Sequence, residues 1–239
     1  MNSVFKTPAP SFTLKEIKKI LESKFGISGS LKHLYGDRDQ NFYINTNRGS
    51  FILKVFNIKE EKKIIDLQDR AVTHIKKNYS SAAVPSSVDH KEITINGEMY
   101  HFKIQEFLEG DFLHKAEMSI NDYSGMGKFI GNLSKALTGF DHKAAHRVFD
   151  WDCSQTSIIK RNLSFVQNRK KRKTILYFVN KYEETVTPYL KELRMSVIHN
   201  DANHHNILKN RIQKCYGIID FGDMVFSYQV IEPAVAIAY

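Results

Sequence analysis

The chain alternates between two apolar rhythms, and the change from one to the other divides it. Thr13 and Glu16 form a capping-box signature before a helical stripe of Leu14, Ile17, Ile20 and Leu21 that ends at Gly26. Strand-like runs follow at Leu31–Tyr35 and Phe42–Asn45, separated by the polar turn from Gly36 to Asn41, and Asn47-Arg48-Gly49 turns the chain into a third run, Phe51–Phe56. A long amphipathic helix is predicted over Lys59–Asn78, with Ile64, Leu67, Ala71, Val72 and Ile75 on its core face. Ile93–Asn96 and Met99–Leu108 then read as a hairpin around Gly97.

Beyond the linker signal Glu109-Gly110-Asp111 the period becomes helical. Helices are expected over Met118–Leu137, Ile158–Phe165 and Thr174–Leu193, the last with Ile175, Phe178, Val179, Tyr182, Val186 and Leu190 on one side. Two short apolar segments, Val197-Ile198 and Tyr216–Ile219, interrupt them. The expected fold is therefore α+β with two lobes: residues 1–108, a five-stranded antiparallel sheet with helix, and residues 109–239, mainly helical.

The 239 residues, 42% hydrophobic, suffice for a buried core, and the formal charge of +9 suits a polyanionic ligand or simply a solvated surface. Cys153 and Cys215 form no paired motif, so neither a disulfide framework nor a thiolate zinc site is indicated. With no secretory h-region and no membrane-length apolar run, a cytoplasmic protein is expected. Gly125-Met126-Gly127-Lys128 fits neither phosphate-loop pattern and reads as close helix packing. The basic run Arg169–Lys173 lacks interleaved aromatic residues, so it reads as a solvated helix junction rather than a nucleic-acid site.

The chemistry concentrates in His199-Asn200-Asp201-Ala202-Asn203-His204-His205-Asn206 and, one short strand later, Asp220-Phe221-Gly222. Phosphoryl transfer to an alcohol needs a carboxylate that orients and takes the hydroxyl proton, together with oxygen ligands for Mg²⁺. Asp201 suits the first task, Asn206 and Asp220 the second. Lys54 shares a strand face with Ile52 and Phe56; it is either an edge gatekeeper or a lysine that holds nucleotide phosphates. A zinc cluster of His199, His204 and His205 with Asp201 is the rival reading; it lacks the helical pairing of histidines, and no remote ligand is evident to join this one loop.

These residues resemble the aminoglycoside phosphotransferase/choline kinase family, whose fold is like that of protein kinases. His199-x-Asp201-x-x-x-x-Asn206 looks like its catalytic loop, Asp220-Phe221-Gly222 like its metal-binding segment, and Lys54 falls where its strand lysine belongs. The turn Gly36-Asp37-Arg38-Asp39-Gln40-Asn41, with His142, Ala145-His146-Arg147 and Trp151-Asp152, resembles the subgroup of hydroxylysine kinases and aminotransferase-fused phosphotransferase domains. The resemblance implies nucleotide contacts from Gly36, Asp37, Arg38, Gln40 and Asn41, a base-contacting hinge at Gln105–Leu108 that includes Phe107, and Mg²⁺ with ATP or GTP as donor.

Two features depart from the family. Arg70 stands where a helix glutamate pairs with the strand lysine, with Asp66 one turn earlier as a substitute. The chain also stops at Tyr239, so the last helices of the second lobe are expected to be missing. The expected function is a kinase of a small amino alcohol or hydroxylated amino acid, with nucleoside triphosphate and the hydroxyl acceptor as partners and neither membrane nor nucleic acid. The alternative is a catalytically silent relative that binds nucleotide or a partner protein.

Overall fold

The computed structural model describes residues 3–212 and 215–239. Its chain divides into two units, residues 1–73 with 83–110, and residues 74–82 with 111–239.

The first unit opens with α1 (Leu14–Ile20), capped by Thr13 and Glu16 in a reciprocal box and closed at Gly26, which takes a left-handed φ of 64°. Five strands follow: β1 (Ser30–Leu34), β2 (Gln40–Thr46), β3 (Gly49–Val55) and, after α2 (Lys62–Asn78), β4 (Ser87–Ile95) and β5 (Glu98–Glu106). They form the expected antiparallel sheet, in the order β1-β2-β3-β5-β4. Strand alternation sorts its side chains. Phe42, Ile44, Leu53, Val55, Phe102 and Ile104 pack with Ile17 of α1 and with Leu21 just after it into one fully apolar cluster.

The opposite face carries buried cations among apolar residues. Asn41 lies across from Lys54, and Lys54 from Lys103, so all three share this face. Lys103 donates to Asp69 at 3.1 Å and lies 3.5 Å from the Gln68 side-chain oxygen, both on α2. Burying cations here is tolerable only because carboxylates accompany them.

In the second unit, β6 (Asp111–Phe112) leads to α3 (Ile120–Ala136), capped by Ser119 and Asp122. Then come α4 (Thr156–Asn162) and α5 (Arg169–Thr185). The basic run Arg169–Lys173 lies inside α5 rather than at a junction: Arg and Lys are good helix formers, and Asn168 caps the Lys171 N–H. Of the apolar face expected there, Val179 is buried while Phe178 is 64% exposed. Strands β7 (Met195–Ile198), β8 (Ile207–Asn210), β9 (Cys215–Ile218) and β10 (Val225–Tyr228) pair as β10-β7 and β6-β8-β9, and α6 (Ile231–Ala238) ends the chain. Phe149, Ile198, Val225 and Ile231 make the small core behind the loop that joins β7 to β8. Among the described residues no helix is long and apolar enough to cross a membrane.

Candidate active site

The β7–β8 loop is held from below by buried polar groups. His199 is fully buried; its Nε2 donates to the Ile219 carbonyl at 3.0 Å, and its Nδ1 accepts the Asp201 N–H at 3.3 Å. Burial pushes this imidazole down to about 4, so it is a neutral brace with both nitrogens engaged, not a metal ligand. Its ring meets Phe221 edge-on at 4.8 Å, tying the loop to the segment that follows β9. Asn200 adopts a left-handed φ of 67°, which an Asn tolerates better than most residues, and turns the chain so that Asp201 leads into the loop.

Asp201 is gripped at both carboxylate oxygens. Oδ1 accepts from the Asn203 amide and Oδ2 from the Asn206 amide, each at 2.6 Å, and Asn206 also donates to the Asp201 carbonyl at 2.9 Å. Burial raises the Asp201 carboxyl to about 6, assisted by the negative charges of Asp223 and Asp220 and opposed by the two amides. Motif spacing does not single out Asn203; the second Asn of Asn200-Asp201-Ala202-Asn203 is the available signal. Its side-chain oxygen takes the His205 N–H at 2.7 Å, so one residue shapes both the carboxylate and the loop.

Asp220 follows β9 with φ 61°, an uncommon backbone state for a non-glycine residue, and accepts the Gly222 N–H at 3.4 Å. Arg147 clamps the same segment, donating to the carbonyls of Gly222 at 2.8 Å and Met224 at 2.9 Å. Asp152 is buried nearby in sequence and takes the Ser227 hydroxyl at 2.8 Å. His204 and His205 pack with the His114 ring at centroid distances of 5.9 and 4.3 Å.

Asp220 and Asn206 are hard-oxygen donors for a divalent cation. Asn206 spends its side-chain N–H groups on Asp201, which leaves its Oδ1 to face a cation, and a bound positive charge would offset the Asp223 and Asp220 charges that add to burial in raising Asp201. Among the described residues no group of three His, Cys, Asp or Glu side chains could hold a metal by itself. The donor set thus fits Mg²⁺, which keeps water and phosphate oxygens as ligands, better than a protein-caged ion.

In the first unit, Lys54 is 7% exposed and its ammonium lies 3.0 Å from Asp39 Oδ2. Arg70 pairs with Asp66 at 2.8 Å along α2. Gly36 packs too tightly for any side chain: a Cβ there would lie 2.2 Å from the Asp39 carbonyl. Arg38 sits over the Phe5 ring at 5.3 Å, and the Asn41 amide approaches the Tyr35 carbonyl at 3.5 Å, while Asp37 is exposed. Both ends of the Gln40 amide bond the Phe12 backbone at 2.8 Å, so that side chain braces the N-terminal segment. Gln105 lies on β5 opposite Ile52 and Ser87, and Phe107 stands edge-on to Tyr43 at 5.0 Å.

The model of the phosphotransferase enzyme family known as APH matches residues 31–239. The chain belongs to that family. Within the phosphotransferase family, hydroxylysine kinase of Mus musculus is 24% identical over an alignment that covers 96% of this chain and 69% of the mouse kinase. The fold is shared with a microcompartment-associated aminopropanol kinase (TM-score 0.70, 15% identity, 94% of this chain and 74% of that one). It is shared too with aminoglycoside 2'-phosphotransferase-IIIa, solved as its GDP complex (TM-score 0.66, 16% identity, 92% and 75%).

Proposed function

We propose that this phosphotransferase moves the terminal phosphoryl group of ATP or GTP to the hydroxyl of a small amino alcohol or hydroxylated amino acid. The observation that carries the reading is Asp201, a half-buried carboxylate whose two oxygens are fixed by the Asn203 and Asn206 amides, an orientation that suits it to take the proton of an acceptor hydroxyl. Asp201 orients the acceptor hydroxyl and takes its proton as the oxygen attacks phosphorus. Because the transition state is loose, positioning and charge compensation supply most of the acceleration.

Asn206 and Asp220 would hold Mg²⁺, which when bound offsets charge on the phosphate oxygens. In the first unit Lys54 is assigned to the donor phosphates, with the backbone of Gly36, Asp37, Arg38, Gln40 and Asn41 lining the nucleotide and Gln105 and Phe107 marking the base-contacting hinge. Similarity to hydroxylysine kinase and the shared fold with an aminopropanol kinase support an acceptor that carries both an amine and a hydroxyl.

The test is product formation from Mg-ATP and Mg-GTP across a panel of amino alcohols and hydroxylated amino acids, with wild type and Asp201→Asn. Turnover of one acceptor class, abolished by Asp201→Asn, is expected. Undiminished turnover in the variant removes Asp201 as the base, and nucleotide binding without turnover on any acceptor makes the chain a silent nucleotide binder.

A further inference from the structure

Two lysines with little solvent exposure face each other across β3 and β5. Lys54 and Lys103 are register partners, 7% and 4% exposed, and both ammonium groups lie over the Phe56 ring, at 5.3 and 5.2 Å from its centroid. Like charges directly opposed on a sheet repel. The protein compensates each with a different carboxylate: the α2 carboxylate of Asp69 goes to Lys103 at 3.1 Å, and Asp39, at the entrance to β2, goes to Lys54 at 3.0 Å.

Asp39 is itself firmly held. It is 9% exposed, and its other oxygen accepts the Asn57 N–H at 2.8 Å. The Asn57 amide in turn donates to the Arg38 carbonyl at 3.3 Å, locking the turn that carries Asp39 to the segment just beyond Lys54. Gly36 completes the arrangement, because any side chain there would strike the Asp39 carbonyl.

We propose that Asp39 is the positioning residue for Lys54, so that the Gly36–Asn41 turn sets the lysine toward the donor phosphates. The inference rests on the reading of Lys54 as a phosphate-binding group. Its consequence is that the turn over the nucleotide and the lysine move as one piece. The Asp69–Lys103 pair is left to anchor α2 on the sheet.

The experiment compares Lys54→Ala, Asp39→Asn, Asp39→Glu, Asp69→Asn and Lys103→Met in the full chain, reading Mg-ADP affinity by calorimetry, kcat and KM for ATP, and thermal midpoint. Asn at 39 keeps an acceptor for the Asn57 N–H while losing the charge. We expect Asp39→Asn to follow Lys54→Ala, with Mg-ADP affinity and kcat/KM each reduced about tenfold or more. Asp39→Glu should recover part of that loss, a recovery that a merely structural role would not produce. Asp69→Asn and Lys103→Met, which break the helix pair from either end, should lower the midpoint while KM for ATP stays within about twofold.

Wild-type behaviour of Asp39→Asn overturns the proposal, as does an equal kinetic loss in Asp69→Asn and Lys103→Met. Wild-type affinity and turnover in Lys54→Ala refutes the reading of Lys54 and takes the proposal with it. If wild type turns over no acceptor, matched loss of Mg-ADP affinity in Asp39→Asn and Lys54→Ala still supports it, and retained affinity in Asp39→Asn alone rejects it.

Discussion

Glu232, the second residue of α6, accepts the backbone N–H of His199 at 2.5 Å across a separation of 33 residues. The same oxygen lies 3.4 Å from the Asn200 nitrogen, so one carboxyl holds the start of the β7–β8 loop. It is fully buried, and burial raises it from 4.5 to about 7. Between those values the unfolded chain has released the proton while the folded chain retains it, so stability falls as pH rises through the window.

Glu232→Gln keeps an acceptor for both N–H groups without the charge. Denaturant melts from pH 4.5 to 8 should show the variant gaining on wild type by on the order of 2–3 kcal/mol as pH rises, the gain levelling off above about 7. A pH-independent difference would mean that Glu232 does not titrate there. Glu232→Ala leaves two buried N–H groups without their acceptor and should destabilise at every pH by about 1–3 kcal/mol.

Asp201→Asn should lower kcat by roughly 10²–10⁴ while leaving KM for the nucleotide near wild type, because the side chain is assigned to the acceptor proton and not to donor binding. Steady-state kinetics with varied ATP at saturating acceptor separates the two parameters. A change confined to KM would reassign the residue to ground-state binding.

Much of the sheet was legible because its strands alternate, and Ile52, Lys54 and Phe56 on one face with Leu53 and Val55 on the other could be read directly. The loop was legible because its polar residues are bracketed by short apolar strands, Met195–Ile198 and Ile207–Asn210. Partnerships set by tertiary folding were not. Nothing in Ile231-Glu232-Pro233 says that its carboxyl meets His199, and nothing in the spacing of the Gly36–Asn41 turn says that Asp39 forms an ion pair with Lys54. In α5 the period correctly marked a helix, yet periodicity reports a face without reporting whether anything covers it, and Phe178 is exposed.

Arg147 should prove intolerant of lysine. Its Nη2 alone donates to the Gly222 and Met224 carbonyls while the guanidinium lies 4.3 Å from the centre of the Phe149 ring, and the shorter lysine side chain offers neither that reach nor a planar group over the ring. Arg147→Lys is expected to destabilise by about 1–2 kcal/mol, and Arg147→Met by about 2–3 kcal/mol with a parallel fall in kcat as the Asp220 segment loosens. Equal melting midpoints for Arg147→Lys and wild type would show that the two carbonyls find other donors.

Asp220→Asn separates metal binding from folding. Asp201 is raised partly by the charges of Asp223 and Asp220, so the metal-free protein carries carboxylate repulsion that one neutralising substitution reduces. The variant should therefore stay close to the wild-type melting temperature without Mg²⁺, since Asn can still accept the Gly222 N–H. The same substitution removes a hard anionic ligand, so the rise in midpoint that Mg²⁺ and ADP produce in wild type should shrink sharply, as ligand linkage requires when affinity for the folded state drops. Thermal melts with EDTA, with Mg²⁺ and with Mg-ADP give all three comparisons. A variant that is destabilised in EDTA but keeps the full Mg-ADP shift would make Asp220 a structural residue and leave the cation to other ligands.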